Sequence, residues 1–305
     1  MLADPYVFVN AFRAHPTFMD TLNLRSGDFN AADQDDELNE MLLKASLMAD
    51  NFLEFGTASG INGRVAGTLA AHSVTENARC RIRRDGTISY HPKHHPVQAV
   101  TAFSYGYTPT TMQAVPDLSG QWIEDDRQVI MPLTFAAALS GLQFGTPLVA
   151  SEVYTTWTIL AGYVTTKLSA TVNAGATSIS VPDATGVVAG SQLRIWDPGH
   201  EEIVTVANSY ATGLTLPLVS PLGATHTVSA GPGGQVGVSA LPGDVHLAVI
   251  LYGCALLMRP DSEAEDVFPG ARREPNARKG GGGEDGSGFV AEAELLLDAY
   301  RRVVH

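Results

Sequence analysis

The stretch SALPGDVHLAVILYGCALLM, Ser239–Met258, decides how the rest of this sequence is read. Its apolar run from Val245 to Met258 lies between Asp244 and Arg259-Pro260. A helix crossing a bilayer needs about 20 apolar residues, so this run is too short to span. Pro242-Gly243-Asp244 sets up a helix start and Pro260 stops it. Apolar side chains occur nearly all round, with His246 as the polar exception and Gly253 as the small one. A helix without a polar face is buried, in a core or between subunits. Val245, Leu251 and Tyr252 are assigned to that packing.

The chain has 305 residues, 45% of them hydrophobic and only 17% charged, with a formal net charge of -13. The apolar fraction is enough for a real core. The acidic balance argues against a protein that grips nucleic acid through its phosphates, which needs a basic footprint. Cys80 and Cys254 do not make a disulfide framework, and two buried thiols are the expectation. The first residues, MLADPYVFVNAFRAHPTF, have no basic n-region, and Pro5 and Arg13 break their apolar pattern. They do not read as a signal peptide.

Working outward, residues 1–30 read as an aromatic arm. Its Tyr6, Phe8, Phe12, Phe18 and Phe29 must pack on their own core or on a neighbouring subunit. Asp33–Phe55 is the clearest helix, with Leu38, Met41, Leu42, Ala45, Met48, Ala49, Phe52 and Phe55 on one stripe. Asp33 is its expected N-cap, and Asp35, Asp36 and Glu37 suit the positive end of the helix dipole. A weaker helical piece is expected at Gly63–His72. Strand patterns follow: a hairpin turning at Asp85-Gly86, a strand from Val97, a hairpin turning at Glu124-Asp125-Asp126, and a strand ending at Ala161-Gly162-Tyr163. In the second of these, Val97, Ala99, Thr101 and Phe103 are expected to share one face.

Residues 166–232 change character, being rich in Thr, Val, Gly and Ser. Short strands are expected at Leu168–Val172, Ser178–Val181, Gln192–Trp196, Glu202–Val206, Leu214–Pro217 and His226–Ser229, giving a small all-β barrel or sandwich. After the apolar helix, 259–287 reads as a flexible, glycine-rich linker. Ser287 then caps an amphipathic helix whose stripe is Phe289, Val290, Ala293, Leu296, Leu297, Tyr300, Val303 and Val304.

Candidate chemistry is sparse. His91, His94 and His95 in HPKHHP are clustered imidazoles, but Pro92 and Pro96 forbid a regular helix and no spaced Cys or acid completes a zinc site. A metal-dependent hydrolase built on them is one alternative. WDPGHEE, Trp196–Glu202, brings Asp, His and two carboxylates together, although Asp-Pro-Gly is foremost a turn. Neither a G-x-S-x-G elbow nor a phosphate-binding glycine loop with Lys-Ser/Thr occurs. Arg79, Arg81 and Arg83 alternate, placing three guanidinium groups on one strand face, a solvated or inter-subunit ion-pairing surface. No catalytic residue, metal or cofactor is assigned, and an enzyme is not expected.

With the β segment set aside, VYTTWTILAGY meets LPGDVHLAVILYGCALLM. A strand ending in Ala-Gly-Tyr, then Leu-Pro-x-x-Val-x-x-Ala opening an apolar helix, resembles the head–tail adaptor (connector, or neck) proteins of long-tailed bacteriophages. The resemblance extends to DDELNEMLLKASLMADNFL, RRDGTISY and HPVQAVTAFSYG, covering residues 33–163 and 241–258. The β insertion and the long first segment depart from the family's compact pattern. The resemblance implies a homo-oligomeric ring, typically of twelve copies, in the virion neck. The ring joins the portal to a tail-side neck or tail-terminator protein and lets DNA pass, after assembly in the host cytoplasm. It also implies that the C-terminal helix reaches the portal.

The expected fold is therefore α+β. A small helical bundle with β-hairpin elements (31–165 and 233–258) forms the adaptor core. It carries an inserted β module (166–232), an arm (1–30), a linker (259–287) and a tethered C-terminal helix (288–305). Portal or subunit contacts are expected at Phe289, Val290, Leu296, Leu297, Tyr300, Val303, Tyr6, Phe8 and Phe12. Replacing 166–232 by a short Gly/Ser link is expected to leave the remaining core folded. The alternative is another neck or tail component whose β module binds a neighbouring virion protein or a host glycan, with Trp196, Tyr210 and His226 exposed together as the platform.

Overall fold

The described residues contain four α-helices: α1 (Val9–Ala14), α2 (Ala31–Phe52), α3 (Gly243–Leu257) and α4 (Ser287–Asp298). They are seen in a computed structural model that describes residues 4–17, 19–22, 24, 30–53, 68–133, 152–258 and 287–300. The fold is mixed α+β, with several antiparallel sheets beside the helices. The chain divides into two units, Met1–Leu69 with Val164–His305 (unit 1) and Ala70–Tyr163 (unit 2). The helices thus group with the β module, not with the hairpin strands as the expected adaptor core had it. The physical reason is that the strands of unit 2 close an apolar core of their own, around Trp157, Phe103 and Ile159.

In unit 1, α2 starts at Ala31 because Asn30, not Asp33, is the N-cap. Asn30 Oδ1 accepts from the Ala32 and Asp33 amides at 2.9 and 3.1 Å, and Asp33 Oδ2 accepts from the Asn30 amide at 3.1 Å. This capping box satisfies amides that the first helical turn leaves without partners. The stripe is inward as its spacing requires: Leu38, Leu42, Ala45 and Ala49 are fully buried, with Met41 and Phe52 half-buried. Phe55, and most of the helix expected at 63–72, lie outside the described residues. The end of that expected helix is instead strand, since His72 opens β1 (His72–Arg81).

Helix α3 packs against α2 and α4, and Val245, Leu251 and Tyr252 are buried with nearly every other side chain on it. Burying each large apolar side chain contributes about 1.5–3 kcal/mol. Phe12 of α1 covers the helix at Gly253, where a Cβ would stand 2.9 Å from Phe12 Cε2 and 3.3 Å from Leu42 Cδ2. Small size at this position lets the two neighbours close in.

The β module spans more than 166–232. Its strands are β8 (Thr165–Lys167), β9 (Ser178–Ser180), β10 (Gln192–Trp196), β11 (Glu202–Thr205), β12 (Thr215–Pro217) and β13 (Gly237–Ser239). One open sheet runs β11-β10-β13-β8 and a second pairs β12 with β9. They enclose one apolar cluster from Val164 to Val238, with Leu193, Ile195, Val206 and Leu216 at its centre. Single contacts join the sheets, at Val206–Leu218 and from the Ser169 amide to the Ser180 carbonyl (2.9 Å). Among the described residues no ladder closes a barrel. Two expected strands, Leu168–Val172 and His226–Ser229, reduce to a single bridge, Val172–His226.

The stem of the module is closed. Val164 O accepts from the Ala240 amide at 2.9 Å, and Thr165 stands opposite Ser239. The chain therefore leaves and returns at one point. The module also packs on the helices: Phe8 lies over Gly237, where a Cβ would meet its ring at 2.6 Å, and Trp196 stacks on His246 of α3. Of these two contacts, a Gly/Ser link across 166–232 would remove Trp196 from His246 and leave Gly237 in place.

Unit 2 holds a sheet of order β1-β7-β3-β4, with β3 (Val97–Gly106), β4 (Gln113–Ala114) and β7 (Glu152–Ala161). A second sheet, β2-β6-β5, contains β2 (Thr87–Tyr90), β5 (Trp122–Glu124) and β6 (Gln128–Pro132). The Asp85-Gly86 turn has Gly86 at φ +79, and the second hairpin turns at Asp125 and Asp126, both with positive φ. Register shifts at Val97/Ala99 and Val100/Ala102 interrupt β3. Its buried positions become Val97, Val100, Phe103 and Tyr105, so the simple alternation expected for this strand does not hold.

Gly253→Ala is expected to lower stability by about 1–3 kcal/mol through overpacking against Phe12 and Leu42. Gly243→Ala, with nothing within 4 Å of the added carbon, is expected not to destabilise. Thermal or denaturant unfolding of the two variants checks the pair.

Candidate functional site

The side chains expected to meet a neighbour are first met by their own chain. Tyr6, Phe8 and Phe12 are buried. The Tyr6 amide donates to Ser46 Oγ at 3.0 Å and its hydroxyl to Asp50 Oδ1 at 2.7 Å, which pins the arm to α2. These three residues are therefore not a free contact surface. Phe18 and Phe29 lie outside the described residues. Burial pushes the Asp50 carboxyl up to about 6, against the opposing hydrogen bonds from Tyr6 and the Leu69 amide.

Helix α4 docks on α3. Ala293 and Leu297 are fully buried; Phe289, Val290, Leu296 and Tyr300 are half-buried, and Leu295 points out. The Tyr300 hydroxyl donates to Asp244 Oδ2 at 3.4 Å. The amphipathic stripe is therefore real and partly used within the chain. Val303 lies outside the described residues, as does the rest of the stripe beyond Tyr300 and nearly all of the expected linker.

The HPKHHP loop is organised by an acid outside the motif. Glu76, buried in β1, accepts from the Lys93 amide at 2.8 Å and the His94 amide at 3.0 Å, from the Tyr90 hydroxyl, and faces His94 Nδ1 at 2.5 Å. Burial opposes its ionisation, but the hydrogen bonds from His94, Lys93 and Tyr90 together outweigh burial and hold the carboxyl at about 2. His91 is exposed, and His94 is turned onto Glu76. Among the described residues no three His, Cys, Asp or Glu side chains are grouped to hold a metal ion. A signal was present in the sequence: in HSVTENARCR the acid at 76 falls in the inward phase with Val74, Ala78 and Cys80.

WDPGHEE serves a second buried centre. His226, fully buried, places Nδ1 2.9 Å from Asp197 Oδ2 and Nε2 2.8 Å from Glu202 Oε1. Ionised carboxylates only accept, so both contacts are satisfied together when both ring nitrogens carry a proton. Glu202 also accepts from the Gly223 and Ala224 amides, which fastens the loop before His226. The two ring nitrogens reach two different acids, which makes His226 a brace between loops. Trp196 and Tyr210 are buried with His226. The aromatic platform required for a glycan site is therefore not presented by these three residues.

The third centre joins the module to α3. Trp196 and His246 stack at 3.7 Å between centroids with 4° between planes, and Arg194 caps the other side of the indole at 4.1 Å. Trp196 Nε1 donates to Ser239 Oγ at 2.8 Å. Burial, helped by the nearby Arg194 and His15, lowers His246 to about 3, so the ring is neutral and free to lie flat on the indole. The cysteines are buried, and burial pushes the Cys254 thiol up to about 12, far from the reactive thiolate form. Among the described residues no helix is long and apolar enough to cross a membrane.

Glu76 gives a signed pH dependence. Its folded pKa lies below the ordinary value of 4.5, so its contribution is complete above about pH 4.5 and is lost as pH falls toward 2. Wild-type stability is expected to drop over that window by about 2–3 kcal/mol more than that of Glu76→Gln. Denaturant titrations at successive pH values read the difference, and parallel curves for the two proteins would contradict it.

Set beside known proteins, the sequence matches no protein-family model, and the curated proteins give no match either.

Proposed function

We propose that this chain is a structural subunit of the neck of a long-tailed bacteriophage, a head–tail adaptor. In this reading copies assemble as a ring, typically of twelve, between the portal and a tail-side neck or terminator protein, and DNA passes through. The observation that carries it is the closed stem at Val164–Ala240. The adaptor resemblance requires Ala161-Gly162-Tyr163 and Leu241-Pro242 to belong to one interrupted pattern. A segment that leaves and returns at a single hydrogen-bonded point meets that requirement.

The buried centres fit a structural part. Glu76 and His226 hold loops, and the stacked rings of Trp196 and His246 hold the module to α3. The net charge of -13 suits a surface that duplex DNA passes without adhering. Helix α4 is the element assigned to the portal. Docked on α3 in the free chain, it keeps Leu295 exposed and Phe289, Val290 and Leu296 half-exposed for a second partner.

The test uses the portal protein encoded by the same genome. Mixed with it, the full chain is expected to give portal-capped rings by electron microscopy. Leu295→Glu, at the exposed position of α4, is expected to keep the far-ultraviolet circular dichroism and to weaken portal binding by about tenfold or more. A chain that forms no ring and never binds the portal would contradict the assignment. Undiminished binding by the Leu295→Glu chain would contradict the role of α4.

A further inference from the structure

Charge is divided unevenly between the two units. Residues 70–163 hold six Lys and Arg against seven Asp and Glu, a net of -1, which leaves -12 of the total -13 on the rest of the chain. Within unit 2, four of the six cations fall between positions 79 and 84. Arg79, Arg81, Arg83 and Arg84 are all exposed. Alternation along β1 and its continuation puts Arg79, Arg81 and Arg83 on one face. The continuation is fixed by the Ile82–Ile88 bridge and by the Arg83 amide donating to Thr87 O at 2.8 Å.

This cationic row is held in place on β1 and its continuation, with Glu152 opposite Arg81 on the paired strand β7. The Arg79 guanidinium lies 4.6 Å from the centre of the Tyr154 ring and donates to the Tyr154 hydroxyl. Beside it the outer face of the sheet carries hydroxyls and amides, with Thr156 Oγ1 donating to Asn77 Oδ1 at 2.7 Å and Thr75 Oγ1 3.2 Å from Thr158 Oγ1. Strand β1 is also the edge of its sheet. Cationic side chains on an edge discourage strand-on-strand addition, which leaves side-chain electrostatics as the means of contact.

We propose that the arginine hairpin, Arg79–Arg84, docks on the acidic surface of unit 1 of a second copy of this chain. Copies carrying -13 each repel one another at long range, and the hairpin is where a second copy meets attraction instead. Because the two surfaces differ, the contact is head-to-tail, the kind that closes into rings when its rotation permits. This inference rests on the ring reading above and names the surface that would build it.

The experiment compares full-length wild type, Arg83→Glu/Arg84→Glu and Arg83→Lys/Arg84→Lys. Light scattering and sedimentation velocity are run over a range of protein concentrations, in about 50 mM and about 500 mM salt. Circular dichroism first establishes that each variant is folded. Wild type is expected to associate in a concentration-dependent way that weakens at high salt. The glutamate pair is expected to lose roughly tenfold or more in association constant, and the lysine pair to keep most of it. A monomeric wild type in low salt overturns the contact, and so does a glutamate variant that associates as tightly as wild type. Rings that form regardless of salt and of these arginines also overturn the contact, while leaving the adaptor reading standing. Salt-dependent, arginine-dependent association without portal binding supports the contact and counts against the adaptor reading. Retention of duplex DNA by the hairpin in place of self-association overturns the contact in favour of a phosphate ligand.

Discussion

A helix with no polar face has to be covered on every side, and unit 1 is arranged to do this for α3. Between Val245 and Ala255 every residue but one is buried. The cover comes from separate parts of the chain: α2 along one side, Phe12 at Gly253, α4 along another, and the indole of Trp196 over His246. None of these pieces is adjacent to α3 in sequence apart from the short link through β13. The apolar run thus acts as an organiser, and the arm, the module and the C-terminal helix are ordered by what it needs buried.

That constraint explains the handling of polar groups nearby. His246 is buried near Arg194 and His15, where a charge would be costly, and it is held neutral and flat against an indole whose own N–H is satisfied by Ser239. The buried His226 ring has a carboxylate at each nitrogen. Where a carboxylate is buried, donors surround it: Glu76 has two amides, a hydroxyl and an imidazole. Asp50 is the exception in direction, with its carboxyl raised because its few donors do not compensate burial.

Features set by local pattern were legible in the sequence. The α2 stripe, the turns at Asp85-Gly86 and Asp125-Asp126, the long strand β7 and the extent of α3 all follow from period and turn chemistry acting over a few residues. What escaped was set by distant partners. Asn30 capped α2 because its oxygen reached the Ala32 and Asp33 amides, although Asp33 looked equally suitable. Bulges in β3 changed which residues face inward. The strands Thr165–Lys167 and Gly237–Ser239 gained their identity from pairing with each other across the module, not from their own short sequences. The aromatic arm carried no periodicity to say whether it served its own core or a neighbour; Asp50 and Ser46 decided that. The buried Glu76 was visible only as an acid in the inward phase of a strand.

Cover of α3 by its own chain is measured most directly by native-state hydrogen exchange on the free protein at low concentration. The amides of Val249–Cys254 are expected among the slowest in the molecule, with α1 and α4 protected above the level of isolated short helices. Fast exchange throughout α3 at low concentration, slowing only as copies associate, would show that the cover comes from neighbouring subunits and would contradict the packing on which unit 1 is built.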